Sequence, residues 1–140
     1  MGGNRSFIPL SGSHRFDAVF SEGARVRRGG VTVVAMAREA GPARVGFVTG
    51  RRVGGAVVRN LAKRRLRTSL DRVELEDGFD YVVVASPSVA TASFEAVTEW
   101  VVNAVVRSAE RADSNRAKSE RAGNAELSRT SGSEPGTPGR

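Results

Sequence analysis

One segment of the sequence is more informative than any other: Arg51-Arg52-Val53-Gly54-Gly55-Ala56-Val57-Val58-Arg59-Asn60-Leu61-Ala62-Lys63-Arg64-Arg65-Leu66-Arg67. From Ala56 to about Leu70 nothing breaks a helix, and most of the residues favour one. The glycines ahead of Ala56 allow the backbone to turn. The segment therefore predicts a basic, glycine-containing loop followed by a helix of about four turns.

One side of this predicted helix is basic. At about 100° per residue, five polar residues fall within an arc of about 140°. They are Arg59, Asn60, Lys63, Arg64 and Arg67. The opposite side is predicted to face the core and consists of Val57, Val58, Leu61, Ala62 and Leu66. Arg65 falls among these apolar positions, so its guanidinium must extend outward or find a partner.

The basic side predicts a partner that carries phosphate. Like charges four residues apart, such as Arg59 and Lys63, destabilise an isolated helix by about 0.2–0.5 kcal/mol per pair. An array of phosphates reverses this effect, because the planar guanidinium donates two parallel hydrogen bonds to phosphate oxygens. Asn60 can donate and accept at once, which suits a base edge or a ribose hydroxyl. The pattern indicates nucleic-acid binding, although charge alone does not separate RNA from DNA.

Strands are predicted on both sides of the helix. Upstream, Val31–Ala37 is β-branched and unbroken, and Arg44–Thr49 follows after a Gly41-Pro42 turn. Because the link is short, the second strand is expected to lie antiparallel to the first. Downstream, Phe79–Ala85 predicts a third long strand, and a further short strand is expected near residues 25–28.

Two more helices complete the predicted domain. Near the start of the chain, Phe16, Val19 and Phe20 share one helical face. A last helix begins at Thr91 or Ser93, and its apolar positions are spaced to pack on a sheet. This order of elements predicts an α+β fold, an α-β sandwich with one sheet face covered by helices.

The length suits one domain, since the chain has 140 residues and a mass of 14.8 kDa. After Ser108 the only large aliphatic residue is Leu127, so the end of the chain lacks the apolar surface that offsets the cost of ordering. We expect a flexible N-terminus over residues 1–6, a nucleic-acid-binding α-β sandwich domain over 7–111 and a disordered tail over 112–140.

Composition excludes several classes of site. Lysine and arginine total 22 against 15 acidic residues, a net charge of +7, and there are no cysteines and one histidine, His14. Thiolate chemistry and sites that need two imidazoles are therefore excluded. The carboxylates Glu74, Glu76 and Asp77 are interpreted as a solvated turn rather than a metal cluster. The chain has neither a membrane-spanning apolar run nor a signal-peptide pattern, so we expect a cytoplasmic protein without a membrane partner.

Residues 54–67 resemble the signature of the bacterial ribonuclease P protein subunit, an Arg-Asn-Arg core followed by Lys-Arg and a later arginine. The resemblance covers about residues 8–107. Residues 15–23 are similar to the family's first-helix pattern, residues 45–52 to its strand and basic loop, and Phe79–Ala85 to its third long strand. Leu61 stands at the third position of the core, so that cation is absent or displaced, for example to Arg65.

The resemblance implies a fold and an activity. The fold is an about four-stranded mixed sheet with three helices and a left-handed β-α-β crossover, the ribosomal protein S5 domain 2-like class. In that family the RNA subunit, with bound Mg²⁺, hydrolyses the bond that releases the 5′ leader of precursor tRNA. The protein subunit of this endoribonuclease binds the catalytic RNA and the leader, and it is expected to act as a monomer in a 1:1 complex.

The resemblance also assigns residues. Seven would contact the catalytic RNA: Arg51, Arg52, Arg59, Asn60, Lys63, Arg64 and Arg67. Phe16 and Phe20 would line the leader cleft, where bases stack on aromatic rings. No catalytic residue or metal ligand is expected in the protein. The alternatives are a ribosomal or translation-associated RNA-binding protein, a self-sufficient nuclease, which would need converging carboxylates or histidines, and a DNA-binding helix-turn-helix, which would need a positioning helix before residue 54.

Overall fold

The computed structural model describes the backbone of residues 7–38 and 40–132. Its elements, in chain order, are β1 (Phe7–Pro9), α1 (Ser13–Glu22), β2 (Ala24–Arg28), β3 (Val31–Ala37), β4 (Ala43–Thr49), a 3₁₀ turn (Arg51–Val53), α2 (Ala56–Leu70), β5 (Phe79–Ala85), α3 (Ser88–Thr91) and α4 (Phe94–Gly132). The α+β class is confirmed, and β3, α2 and β5 have the predicted bounds. The described part of the chain has five strands, where about four were predicted, and a short extra helix, α3.

The strands form one mixed sheet in the order β1-β4-β5-β3-β2. β3 is antiparallel to both β2 and β5, whereas β4 is parallel to both β1 and β5. β4 thus runs opposite to β3, as predicted, but β5 lies between them, so the two do not form a hairpin. The segment after β3 instead wraps around the start of β5: Arg38 N–H donates to the Gly78 carbonyl, and Gly78 N–H donates to the Gly41 carbonyl.

The parallel pair of β4 and β5 is joined through α2, which gives the β-α-β crossover expected from the resemblance. This connection brings the loop and the helix of residues 51–67 to the end of β4. β1, which was not predicted, pairs with the start of β4 on the outer edge of the sheet. Its three residues include a proline, so they show neither the length nor the alternation by which a strand is recognised.

Helices cover both faces of the sheet, which corrects the prediction of a single covered face. α2 and α4 pack on one face over a core that includes Val33, Val83 and Leu66. α1 packs on the other face, over Val34 and Val82. The unbroken apolar runs of β3 and β5 explain this arrangement, because successive side chains point to opposite faces and an apolar residue on each face needs a cover.

α4 extends beyond the predicted end of the domain. Among its side chains up to residue 120, whose burial is described, the last buried one is Ala112, yet the helix continues to Gly132, where composition suggested a disordered tail. Local interactions account for the difference: alanine, arginine, lysine and glutamate are strong helix formers, and Arg116 pairs with Glu120 one turn away. The expectations for residues 1–6 and 133–140 lie outside the described residues. Over the ranges described, no helix combines the length and the apolar character needed to cross a membrane.

Candidate nucleic-acid interface

α2 is oriented by the side chains that it buries. Ala62, Leu66 and Leu70 are buried against the sheet and α4, which turns the opposite side of the helix outward. Leu61 is half-buried, in agreement with its predicted side. Val57 is 82% exposed, so its assignment to the core was wrong. It lies in the first turn, ahead of the first α2 residue that is buried.

The predicted basic residues are all accessible to some degree. Asn60 and Arg64 on α2 and Arg51 and Arg52 in the 3₁₀ turn are exposed, whereas Arg59, Lys63 and Arg67 are half-buried. Within the part of the chain that the structure describes, no carboxylate oxygen lies within 4.0 Å of any of these cations; the ion pairs found involve Arg38, Arg44 and Arg116. We call these seven residues the basic face. Its charge is not neutralised by neighbouring acids.

Two arginines of α2 form hydrogen bonds with backbone carbonyls. Arg59 donates from Nη1 to the Gly54 carbonyl at 3.3 Å, which ties the basic loop to the first turn of α2. Arg65 donates from Nη1 to the Val89 and Ala92 carbonyls at 3.1 and 2.6 Å, so it has found the partner that its apolar position required. Since Arg65 holds α3, it does not supply the cation that Leu61 lacks, and that cation is absent from the face.

A cleft of about 340 Å³ adjoins the basic face. Its lining comes from the segment around β1, from α1, from β4 and from α2: Phe7, Pro9, Leu10, Phe16, Val45, Gly46, Phe47, Lys63 and Arg67. The cleft therefore combines aromatic rings with two cations of the basic face. This combination suits single-stranded nucleic acid, because bases stack on aromatic rings while cations bind the phosphates.

Two contacts shape the aromatic part of this cleft. The ring of Phe16 lies against the backbone of Gly46, so close that a Cβ at position 46 would meet Phe16 Cζ at 2.3 Å. The guanidinium of Arg67 lies over the ring of Phe47, with Cζ 5.4 Å from the ring centroid, a cation–π arrangement. Gly46 thus lets α1 approach β4, and Phe47 positions a cation of the basic face at the edge of the cleft.

Phe20 lies in a different place from Phe16. It is half-buried against the cluster that contains Val34 and Val82, and Arg25 Cζ lies 5.8 Å above its ring. The structure therefore brings Phe16, but not Phe20, together with Lys63 and Arg67. The cleft residues around β1 were missed in the sequence. Their only signal is the apolar run from Phe7 to Leu10, which is too short to predict a strand.

A buried charge cluster at the other end of the sheet was also missed. Asp80 is 1% exposed and accepts hydrogen bonds from Arg38 Nε at 2.8 Å and from Arg44 Nε and Nη2, both at 2.8 Å. Burial alone would raise the pKa of Asp80, but the hydrogen bonds from Arg44 and Arg38 outweigh it and lower that pKa below its usual range. Arg38 also donates to the Ala40 and Pro42 carbonyls. The cluster has its hydrogen-bonding groups engaged internally, which suits a structural role.

Candidate metal ligands are scarce. In the ranges that the structure describes, no three histidine, aspartate or glutamate side chains come together as a metal site would require. Glu74, Glu76 and Asp77 are exposed, as expected for a solvated turn. In the described part of the chain, the side chains thus do not form a set of ligands that fits Mg²⁺.

Comparisons of this sequence with known sequences all identify the same family. A sequence profile described as Ribonuclease P matches residues 6–109. The ribonuclease P protein component of Kocuria rhizophila is 40% identical over 101 residues, which cover 71% of this chain and 89% of the relative. That of Ruegeria pomeroyi is 47% identical over 79 residues, which cover 49% of this chain and 62% of the relative.

Solved structures agree with the sequence comparison. The ribonuclease P protein of Thermotoga maritima matches with a TM-score of 0.63 and 27% identity, covering 71% of this chain and 96% of that one. The Staphylococcus aureus protein matches with a TM-score of 0.61 at 17% identity, covering 74% and 94%, and supports the fold alone. Because the profile spans most of the chain and the Kocuria relative matches over more than two thirds of it, this chain belongs to the ribonuclease P protein family.

Proposed function

We propose that the chain is the protein subunit of a ribonuclease P that removes the 5′ leader of precursor tRNA. The observation that supports this proposal best is the junction of the basic face with the cleft. Lys63 and Arg67 belong to both, so a nucleic acid bound along α2 continues into the space beside Phe16. The catalytic RNA occupies the exposed part of the basic face, and the leader occupies the cleft.

The protein contributes binding and orientation rather than bond cleavage. Arg51, Arg52, Arg59, Lys63, Arg64 and Arg67 bind phosphates, and Asn60 binds a base edge or a ribose hydroxyl. Phe16 stacks on a leader base, an interaction worth about 1–3 kcal/mol that tolerates many sequences. We assign the Mg²⁺ ions that activate the attacking water to the RNA subunit. Phe20 does not line this cleft, so it would contact the leader only where the leader passes beyond the cleft, beside Arg25.

Reconstitution of the cleavage reaction tests this proposal. Precursor tRNA is incubated at low Mg²⁺ concentration with the protein, with a bacterial ribonuclease P RNA, and with both. We expect cleavage at the mature 5′ end only in the complete mixture, where the protein raises kcat/KM. Cleavage by the protein alone would identify a self-sufficient nuclease. No stimulation of the RNA would favour a ribosomal or translation-associated RNA-binding protein.

Stoichiometry and compartment belong to the same proposal. We propose a monomer that binds the catalytic RNA 1:1 in the cytoplasm. Sedimentation of the reconstituted complex should give a mass equal to one protein plus one RNA, and a fluorescent fusion should distribute through the cytoplasm with the RNA.

A further inference from the structure

The middle turns of α4 carry a second row of cations, apart from the basic face. At about 100° per residue, three basic side chains fall within an arc of about 40°. They are Arg107, Arg111 and Lys118, and all three are exposed. We call these three residues the α4 strip. At a rise of about 1.5 Å per residue, it is about 16 Å long.

The α4 strip lies along the edge of the sheet that β2 forms. Arg111 donates from Nη1 to the carbonyl of Arg25 in β2 at 3.4 Å, a bond that uses one of the five N–H groups of its guanidinium. The other flank of α4 faces α2, where the hydroxyl oxygens of Thr98 and Ser69 are 3.3 Å apart. The α4 strip therefore points away from α2 and its basic face.

The charges of the α4 strip repel one another. Arg107 and Arg111 are one turn apart, and like charges at this spacing destabilise an isolated helix. The remaining positions one turn from a strip residue, among those whose side chains are described, are all neutral: Asn103, Ser114 and Asn115. Within residues 7–38 and 40–120, no carboxylate oxygen lies within 4.0 Å of these three cations.

The acids of the same part of α4 lie on a different flank. Glu110 and Asp113 line a cavity with Glu74, Glu76 and Tyr81, and none of the lining residues belongs to β2. The two signs of charge are thus kept apart on one helix. This separation favours a negatively charged partner along the strip, because complementary charge removes the repulsion within it.

The chemistry of the α4 strip suits the backbone of a double-helical RNA. Guanidinium groups bind phosphate oxygens through two parallel hydrogen bonds. Single strands are bound by stacking of their bases on aromatic rings, but the ring of Trp100, on the same side of α4, packs on the Gly29 backbone in the turn after β2. Double-helical RNA, by contrast, is bound mostly through phosphates and ribose hydroxyls.

We propose that the α4 strip binds the backbone of a double-helical RNA segment while the basic face binds a different part of the RNA. The inference rests on the proposed function, since the duplex then belongs either to the catalytic RNA or to the precursor tRNA. The two surfaces lie on opposite flanks of the packed pair α2 and α4. The protein therefore links two RNA segments and fixes their relative orientation.

The test measures binding of the full-length protein to a blunt RNA duplex of about 20 base pairs and to a single strand of the same length. The double variant Arg107→Ala with Lys118→Ala removes two exposed cations and keeps the bond from Arg111 to β2. For the duplex, the slope of log K against log salt should fall by about 1.8, so the affinity advantage of the wild type should shrink about tenfold between about 50 and 200 mM salt. Single-strand binding should change by about twofold at most.

Arg72→Ala with Arg116→Ala is the charge-matched control. It removes two cations outside the α4 strip, one of which pairs with Glu120, and should keep the wild-type slope. Arg107→Lys with Lys118→Arg should also keep it, and all variants should unfold at the wild-type Tm. The proposal is overturned if Arg107→Ala with Lys118→Ala keeps the wild-type slope, if the control lowers it equally, or if single-strand binding falls as much as duplex binding.

Two further measurements with Arg107→Ala and Lys118→Ala combined identify the source of the duplex. Weaker binding to the catalytic RNA alone would place the duplex in that RNA. Unchanged binding there, with a higher KM of the holoenzyme for precursor tRNA, would place it in the substrate. No change in either would overturn the proposal and favour an acidic protein as the partner. If the wild-type protein does not stimulate the RNA at all, the proposed function fails, and the duplex measurement alone decides whether the α4 strip binds RNA.

Discussion

Asp80 is the residue on which one end of the sheet depends. Its carboxylate joins Arg38 and Arg44, and through Arg38 it holds the segment that wraps around the start of β5. Asp80→Asn leaves two guanidiniums facing a neutral amide. Loss of one partner of a fully buried ion pair costs about 3–5 kcal/mol. Both arginines keep about one fifth of their side-chain surface exposed, so the loss should be smaller here. We expect Asp80→Asn to lower the free energy of unfolding, measured in urea, by about 2 kcal/mol.

The pH dependence of this loss has a defined sign. The pKa of Asp80 is lowered in the folded protein, so the cluster stabilises the fold above the ordinary carboxyl pKa, and this stability is lost as the pH falls through the lowered value. Asp80→Asn should therefore be less stable than the wild type at pH 7, and the free energies of unfolding of the two proteins should converge in strong acid. Asp77→Asn, which changes an exposed carboxylate in the turn before β5, should be as stable as the wild type at every pH. An equal loss in both variants would contradict the role of the cluster.

Tyr81 offers a direct measurement of burial, because it is the only tyrosine in the chain. Burial raises its pKa to about 12. The folded protein should therefore show its phenolate absorbance only near pH 12, whereas the urea-unfolded chain should titrate near 10. Since the raised pKa favours the neutral form in the fold, stability should fall as the pH rises above 10. A midpoint near 10 in the folded protein would show that Tyr81 is solvated.

Gly46 controls how closely α1 approaches the sheet. An alanine Cβ there would meet the Phe16 ring at 2.3 Å, so Gly46→Ala should displace the ring and destabilise the protein by about 1–3 kcal/mol. The double variant Gly46→Ala with Phe16→Leu should recover part of this loss. Gly50→Ala is the matched control, because a Cβ at position 50 meets nothing within 4 Å. Thermal unfolding of the four proteins measures the effect, and an unchanged Tm for Gly46→Ala would refute the close packing.

α2 carries its structural residues on one side and its binding residues on the opposite side. Arg64→Ala and Arg67→Ala should each weaken binding to the catalytic RNA and reduce the slope of log K against log salt by about 0.7–0.9. Arg67→Ala should in addition weaken leader binding, because Arg67 lies over Phe47 in the cleft. Arg72→Ala, which lies beyond α2 beside Phe94, serves as the charge-matched control and should keep the slope. If Arg64→Ala and Arg67→Ala both keep the wild-type slope, the basic face is not the surface that binds the catalytic RNA.

Most individual elements could be predicted from the sequence. α2 and β5 have strong local signals, and the basic side of α2 follows from helical spacing alone. The wrong predictions concern burial and strand pairing that depend on tertiary contacts. Val57 satisfies the helical pattern of the core but lies ahead of the buried part of α2. β3 and β4 are joined by a short link, yet β5 lies between them and pairs with both, because a strand that is buried on both faces belongs at the centre of the sheet.

The cleft also depends on tertiary contacts that local sequence patterns do not show. The sequence indicates the cations of α2 and the ring of Phe16 separately, but it does not show that β1 and Gly46 bring them together. The role of Asp80 could not be predicted, because a single carboxylate in an apolar strand forms no periodic pattern. Its partners Arg44 and Arg38 lie 36 and 42 positions earlier in the chain. The order of strands in the sheet brings them together, and local sequence patterns do not reveal that order.

α4 extends beyond the core that it helps to form. α4 buries Val105, Ala109 and Ala112, but beyond Ala112 the side chains described are exposed except for a half-buried Ala117. The continuation of the helix up to residue 120 is thus supported by local interactions, and a domain boundary near residue 111 stays a prediction. A chain that ends at residue 115 should keep its Tm within about 2 °C and lose only helical ellipticity.

A chain that ends at residue 103 provides the contrasting variant. It removes Ala104 and Val105, both almost fully buried on the sheet, together with the helical turns that follow. Burying an aliphatic side chain such as valine contributes about 1.5–3 kcal/mol, and a small domain has only about 5–15 kcal/mol of net stability. We therefore expect this chain to lose cooperative unfolding. If the chain ending at residue 115 also lost several degrees of Tm, the helix beyond Ala112 would have to pack on the domain, and the boundary would lie further along α4.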